Sequence, residues 1–233
     1  MTKQKNQLRI GVVLSYINLG ISCIIPFMYT PVMLRILGQS EYGLYSLANS
    51  VISYLTLLTF GFGSTVIRYI SKYRAENNKE GVQKTFGLFL GLYSIAAIIV
   101  LVVGAIISFN VEGIFHKGLT GTEIDKIHIL ILIMTFNTAL SFPLSVFSSV
   151  ITSYERYVYR KVIDMISTIA APVFNLIALY MGFASVGMAF TSTILQFIML
   201  PLNMGYCFRV LKIAPRFGRI SPGLLREMLG FSF

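Results

Sequence analysis

The chain has 233 residues, of which 55% are hydrophobic and only 12% charged, with a formal net charge of +10. A soluble domain carries roughly 25% charged residues, so this supply cannot cover a water-facing surface. The apolar residues fall in long blocks that read as membrane spans. The basic residues sit in short clusters between those blocks, as in cytoplasmic loops, which argues against a nucleic-acid partner.

In chain order, Lys3, Lys5 and Arg9 precede an apolar run, as in a signal peptide. The run continues well past a signal-peptide core and has no A-x-A cleavage site, so it reads as a retained first helix. The hydropathy pattern predicts six spans, at about 10–37, 42–69, 82–109, 124–152, 158–182 and 185–208. This is an all-α integral membrane protein, a six-transmembrane-helix bundle. Several spans exceed the roughly 20 residues needed to cross, which implies tilt or extension beyond the bilayer. Gly38-Gln39-Ser40-Glu41 forms a tight turn after the first span, with Ser40 as N-cap and Glu41 at the positive helix start. Thr122-Glu123-Ile124-Asp125 resembles a capping box opening the fourth span. Gly87 and Gly91 form a GxxxG pair suited to close helix packing. Ser221 and Pro222 together are a helix-opening signal. Residues 1–213 therefore read as a transmembrane lobe, and 214–233 as a cytoplasmic linker and the start of a further helix in a longer protein.

Charge sets the orientation. Lys3, Lys5 and Arg9 lie before span one, and Arg68, Lys72, Arg74, Lys79 and Lys84 follow span two. Arg156, Arg160 and Lys161 follow span four, and Arg209, Lys212, Arg216, Arg219 and Arg226 follow span six. Only Arg35, Lys117 and Lys126 fall on the other side, so 16 of the 19 basic residues share one side. By the positive-inside rule both termini are cytoplasmic and the number of spans is even. Cys23 lies mid-span and Cys207 near a helix end, at depths that do not suit a disulfide. Glu112 and His116 are four residues apart with no further ligands, so no metal is predicted. No nucleotide-binding loop or catalytic triad is present; the chain reads as a non-enzyme without a cofactor.

Two stretches carry more specific information: Leu37-Gly38-Gln39-Ser40-Glu41-Tyr42-Gly43-Leu44-Tyr45-Ser46-Leu47, and Phe60-Gly61-Phe62-Gly63-Ser64-Thr65-Val66-Ile67-Arg68-Tyr69-Ile70-Ser71-Lys72-Tyr73. With the 221–233 run and the spacing of the spans, they resemble the polysaccharide-biosynthesis flippases. These are the Wzx-type members of the multidrug/oligosaccharidyl-lipid/polysaccharide exporter superfamily. The resemblance implies one lobe of a two-lobed, MATE-like transporter of the bacterial cytoplasmic membrane. It implies alternating access, with an undecaprenyl-pyrophosphate-linked oligosaccharide as cargo. Partners would be that substrate, membrane lipids and polysaccharide polymerase or glycosyltransferase machinery. A cation-coupled exporter of small solutes or drugs and a non-transporting scaffold for polysaccharide enzymes are the alternatives.

A hydrated sugar and a pyrophosphate need polar company across hydrocarbon. Polar stripes run along span one (Ser15, Asn18, Ser22), span two (Ser46, Ser50, Ser53, Ser64) and span four (Asn137, Ser141, Ser145, Ser148, Thr152). Others run along span five (Asp164, Thr168, Asn175) and span six (Ser192, Gln196, Asn203). Hydroxyls are also the common glue between membrane helices. The amides Asn18, Asn137, Asn175 and Gln196 are costlier in lipid and are cavity candidates. Arg35 and Arg68 suit pyrophosphate through their planar forks, or else snorkel to the interface. Asp164 is a candidate for ion coupling, or pairs with Arg160 or Lys161 at helical spacing. Pro26, Pro31, Pro143, Pro172 and Pro201 interrupt four spans and suit hinges.

Overall fold

The computed structural model describes residues 2–56, 62–115 and 118–218, with side chains from residue 10 onward except at 62 and 114. The chain forms α1 (Thr2–Leu37), α2 (Gln39–Thr56), α3 (Phe62–Ala75), α4 (Lys79–Phe109), the short α5 (Val111–Phe115), α6 (Gly121–Ser153), α7 (Tyr157–Tyr180) and α8 (Ala184–Gly205). A π-helical turn, Tyr206–Val210, extends α8. Five described segments are long and apolar enough to cross a membrane: α1 from Ile10, α4, α6, α7 and α8 with its π-turn. The expected second span, 42–69, is divided between α2 and α3, and residues 57–61 between them lie outside the described residues. α3 is the more polar of the two pieces, carrying Arg68, Lys72 and Arg74 within 14 residues. Gly61, His116, Lys117 and the predicted helix at 221–233 also lie outside the described residues. The prolines sit inside continuous helices: Pro26 and Pro31 in α1, Pro143 in α6, Pro172 in α7 and Pro201 in α8.

α6 is the axis of the bundle. It packs against α2, α3, α4 and α8, while α1 lies along α7 on the outside. Half of α6's most apolar stretch is buried, against 6% of the corresponding stretch of α1. Lipid tails are as apolar as leucine, so helices associate through close packing and polar contacts rather than hydrophobic burial. Gly104 of α4 provides such an approach: a β-carbon there would lie 2.2 Å from Thr135 of α6. The predicted GxxxG contact takes a different form. Gly91 meets nothing within 4 Å, and Gly87 faces the backbone of Arg216, whose carbonyl oxygen would lie 2.4 Å from an added β-carbon. The segment after the π-turn crosses the start of α4 here, with Arg216 N–H donating to Gln83 O at 3.0 Å and Ile213 buried. GxxxG spacing identifies close backbone approach but not which backbone arrives.

The turns gather at two ends. The basic end holds the α3–α4 and α6–α7 connections, and Arg74 Nη1 caps α6 there by donating to Ser153 O at 2.6 Å. At the opposite end Gly38 (φ +80°) and Gly182 (φ +83°) make left-handed turns that suit glycine. Ser40 does not act as the predicted cap; its hydroxyl donates to Glu123 Oε1 at 2.9 Å. The capping box of α6 begins two residues earlier than predicted, with Thr120 N–H donating to Glu123 Oε2 at 2.9 Å. Glu41, just ahead of the apolar run of α2, accepts from Lys126 of α6 and from Ser185 of α8 (2.6 Å), tying three helices together. Burial pushes the Glu41 carboxyl up, but the bonds from Lys126 and Ser185 outweigh it and hold it below the usual carboxylate range.

Candidate functional site

A polar cleft of about 440 Å³ lies between α3, α6, α7 and α8, in the half of the bundle nearer the basic end. α6 lines it with Ser141, Ser145, Ser148, Ser149 and Thr152, a run repeating every three to four residues and so sharing one helical face. α7 contributes Arg160, Asp164 and Ser167, again one turn apart, and α8 contributes Met199 and Asn203. Arg160 spans the cleft. One guanidinium nitrogen lies 3.0 Å from Asp164 Oδ1, and another donates to Ser148 Oγ at 2.7 Å. The side chains of Arg160 and Asp164 are 31% and 27% exposed, so the pair is reachable rather than sealed.

The hydroxyl protons are largely committed elsewhere. Ser141, Ser145, Ser149, Thr152 and Ser167 each donate to a carbonyl of their own helix, at 2.6–2.9 Å. Asn203 is 1% exposed; its Nδ2 donates to Met199 O at 2.9 Å, and its Oδ1 is buried without a partner. Burying an unpaired carbonyl oxygen costs about 1–3 kcal/mol. The cleft thus presents mainly acceptors, with the Arg160 guanidinium and the Ser148 hydroxyl as its donors.

A second polar cluster lies between α6 and α8, beside a small cavity of about 150 Å³. Asn137 Nδ2 donates to Ala189 O at 3.0 Å, and Thr193 Oγ1 donates to Asn137 Oδ1 at 2.7 Å. Both faces of this amide are satisfied across the helix pair.

Of the predicted site residues, Asp164 alone lines the larger cleft. Asn137 lines the smaller cavity, and Asn175 of α7 accepts from Thr191 of α8. Asn18 and Gln196 are half-buried, each with a buried, unpartnered side-chain oxygen. Arg35 is exposed on the last turn of α1, away from both cavities. Arg68 is exposed on α3, next to Ile67, which lines the cleft. The structure does not bring these seven residues together. Sequence reasoning assigned Arg160 only as a partner for Asp164 and missed Ser149 and Ser167. The Ser148–Arg160 bridge across the α6–α7 turn leaves no mark at helical spacing. Among the described residues no cluster of His, Cys, Asp and Glu could hold a metal. The lining offers hydrogen-bond acceptors, the Arg160 guanidinium and the Ser148 hydroxyl as donors, and one carboxylate.

The sequence matches the polysaccharide biosynthesis protein family over residues 10–233. The chain belongs to that family. No curated protein matches it. Among solved structures, MATE in complex with MaD3S is similar with a TM-score of 0.80 at 15% identity, over 98% of this chain and 52% of that one. A MOP superfamily transporter from Pyrococcus furiosus, whose binding pocket is described as having reverse polarity, gives 0.69 at 15% identity, over 95% and 50%. An outward-facing multidrug resistance MATE family transporter of the MOP superfamily gives 0.69 at 15% identity, over 95% and 51%. At these identities the likeness shows the fold: one lobe of a MATE-like transporter, in a multi-pass membrane protein. The chain spans about half the length of the transporters it matches.

Proposed function

We propose that this chain forms the first lobe of a two-lobed transporter that moves undecaprenyl-pyrophosphate-linked oligosaccharide across the bacterial cytoplasmic membrane by alternating access. In this reading α2 and α3 together make the sixth span, both ends of the lobe face the cytoplasm, and the basic end is the cytoplasmic end. A second lobe follows residues 214–233. The family match over residues 10–233 carries the reading, since that family serves polysaccharide biosynthesis. The polar cleft near the basic end supports it, because a hydrated cargo entering from the cytoplasm needs polar surface there. The partners proposed are the lipid-linked substrate and the polymerase or glycosyltransferase machinery that makes and consumes it.

A strain lacking the full-length gene tests this. It is expected to lose surface polysaccharide and to accumulate the lipid-linked precursor on the inner leaflet. Normal polysaccharide with no accumulation overturns the proposal. One observation favours a second reading, a cation-coupled exporter of small solutes: a structural relative is a multidrug resistance transporter. That reading calls for carboxylates to bind cationic cargo, whereas the one carboxylate of this cleft is paired with Arg160.

A further inference from the structure

The cleft's hydrogen-bonding balance says what kind of molecule fits it. Five of its hydroxyls have given their protons to helix carbonyls, so their oxygens face the cleft as acceptors. Ser148 Oγ already accepts from Arg160, and Ser145 also meets the Tyr93 hydroxyl. Asn203 is the decisive residue: it lines the cleft, and its Oδ1 is buried and unpartnered. A buried acceptor in this position is satisfied only by a donor brought from outside.

Three ligand classes can be weighed against this balance. A phosphate or pyrophosphate offers acceptors to a wall of acceptors, and the one cation is neutralised by Asp164 at 3.0 Å. A bare metal cation meets the guanidinium of Arg160 in a space of about 440 Å³, far more than a single ion occupies. That volume lies within the roughly 300–1,000 Å³ of small-molecule pockets. A neutral polyol suits both: its hydroxyls donate to Asn203, Asp164 and the serine oxygens, while its ring and hydroxyl oxygens accept from Arg160.

We propose that the cleft between α3, α6, α7 and α8 is a carbohydrate subsite that holds one sugar unit through Asn203, Asp164 and Arg160. It deepens and rests on the oligosaccharide-transport reading. It also gives Asp164 a role in sugar recognition in place of ion coupling, and it leaves the pyrophosphate to be held elsewhere.

The chain has no tryptophan, so a tryptophan introduced into the lining of the full-length protein reports on the cleft largely free of background from this lobe. Leu144→Trp is the first reporter and Ile67→Trp the second, since both residues line the cleft from different helices. Each is titrated in detergent with a hexose, an N-acetylhexosamine and a hexuronic acid, and separately with sodium chloride and sodium pyrophosphate. The expected result is a saturable fluorescence change with at least one sugar, weakened about tenfold by Asn203→Leu, the effect of losing one well-made hydrogen bond. Neither sodium nor pyrophosphate is expected to saturate. The proposal is overturned by silence of both reporters to all sugars, which makes the cleft a water-filled space only. It is also overturned by saturation with sodium or pyrophosphate instead of sugar, or by a sugar response that Asn203→Leu leaves unchanged. The deletion strain and the reporters fail separately. Precursor accumulation with silent reporters removes the subsite alone, whereas sugar binding with normal surface polysaccharide removes the transport reading alone.

Discussion

Asn137 and Asn203 are buried amides on neighbouring helices, and they do opposite things. Asn137 is satisfied on both faces, by Ala189 O and by Thr193, and it joins α6 to α8. Asn203 donates only to Met199 of its own helix and leaves its oxygen unpaired at the edge of a cleft. Residue type and burial are the same; the difference lies in whether the partner comes from the lobe itself. A polar residue whose bonds close within the bundle holds helices together, whereas one whose bonds stay open is placed for a ligand.

The largest expected effect of breaking this comparison is on stability at Asn137. Asn137→Leu removes two cross-helix bonds, worth roughly 0.6 kcal/mol each on average in membrane proteins, and leaves the Thr193 hydroxyl only its 3.3 Å bond to Ala189 O within α8. The cost is expected to be about 1–2 kcal/mol, measured by denaturant titration in micelles. Asn203→Leu removes one bond to its own helix but also a buried oxygen without a partner, whose burial costs about 1–3 kcal/mol, so it is expected to leave stability unchanged or to raise it by about 1 kcal/mol. Equal costs at the two positions would erase the distinction.

Glu41 extends the closed class to the opposite end of the lobe, with partners from α6 and α8. Its carboxyl titrates below its unfolded value. Its contribution is therefore fully present above the unfolded carboxylate pKa and is lost as the pH falls through the lower folded value. Thermal stability of the native protein is expected to drop more steeply over that acidic window than that of Glu41→Gln. At neutral pH the variant is the less stable of the two. Parallel pH profiles would show that the Lys126 and Ser185 bonds contribute nothing.

Most of the helical framework is legible in the sequence because it rests on local signals. Apolar blocks place α1, α4, α6, α7 and α8 to within a few residues. The second predicted span, 42–69, corresponds to α2 and α3, with residues 57–61 between them outside the described residues. The site is less legible still. Helical spacing groups Ser141, Ser145, Ser148 and Thr152 on one face, and it pairs Arg160 with Asp164. It cannot show that the α6–α7 turn brings Arg160 back onto Ser148, nor that Asn203 of α8 lines the same space. The charged residues that stood out in the sequence, Arg35 and Arg68, are exposed instead. Asn18 and Gln196 also carry a buried, unpartnered oxygen, and what sets Asn203 apart is that it lines the cleft as well.

Open against closed is tested most directly by access. In the full-length protein, with every native cysteine, Cys23 and Cys207 among them, replaced by alanine, Ser167→Cys places a single thiol in the cleft and Thr193→Cys places one in the Asn137 cluster. The two are compared for their rate of modification by a small, polar thiol reagent in native membranes. Ser167→Cys is expected to react at least about tenfold faster, because a thiol reacts according to its exposure as the thiolate. Equal rates, or faster labelling at Thr193→Cys, would contradict the assignment of the cleft as the open polar site of this lobe.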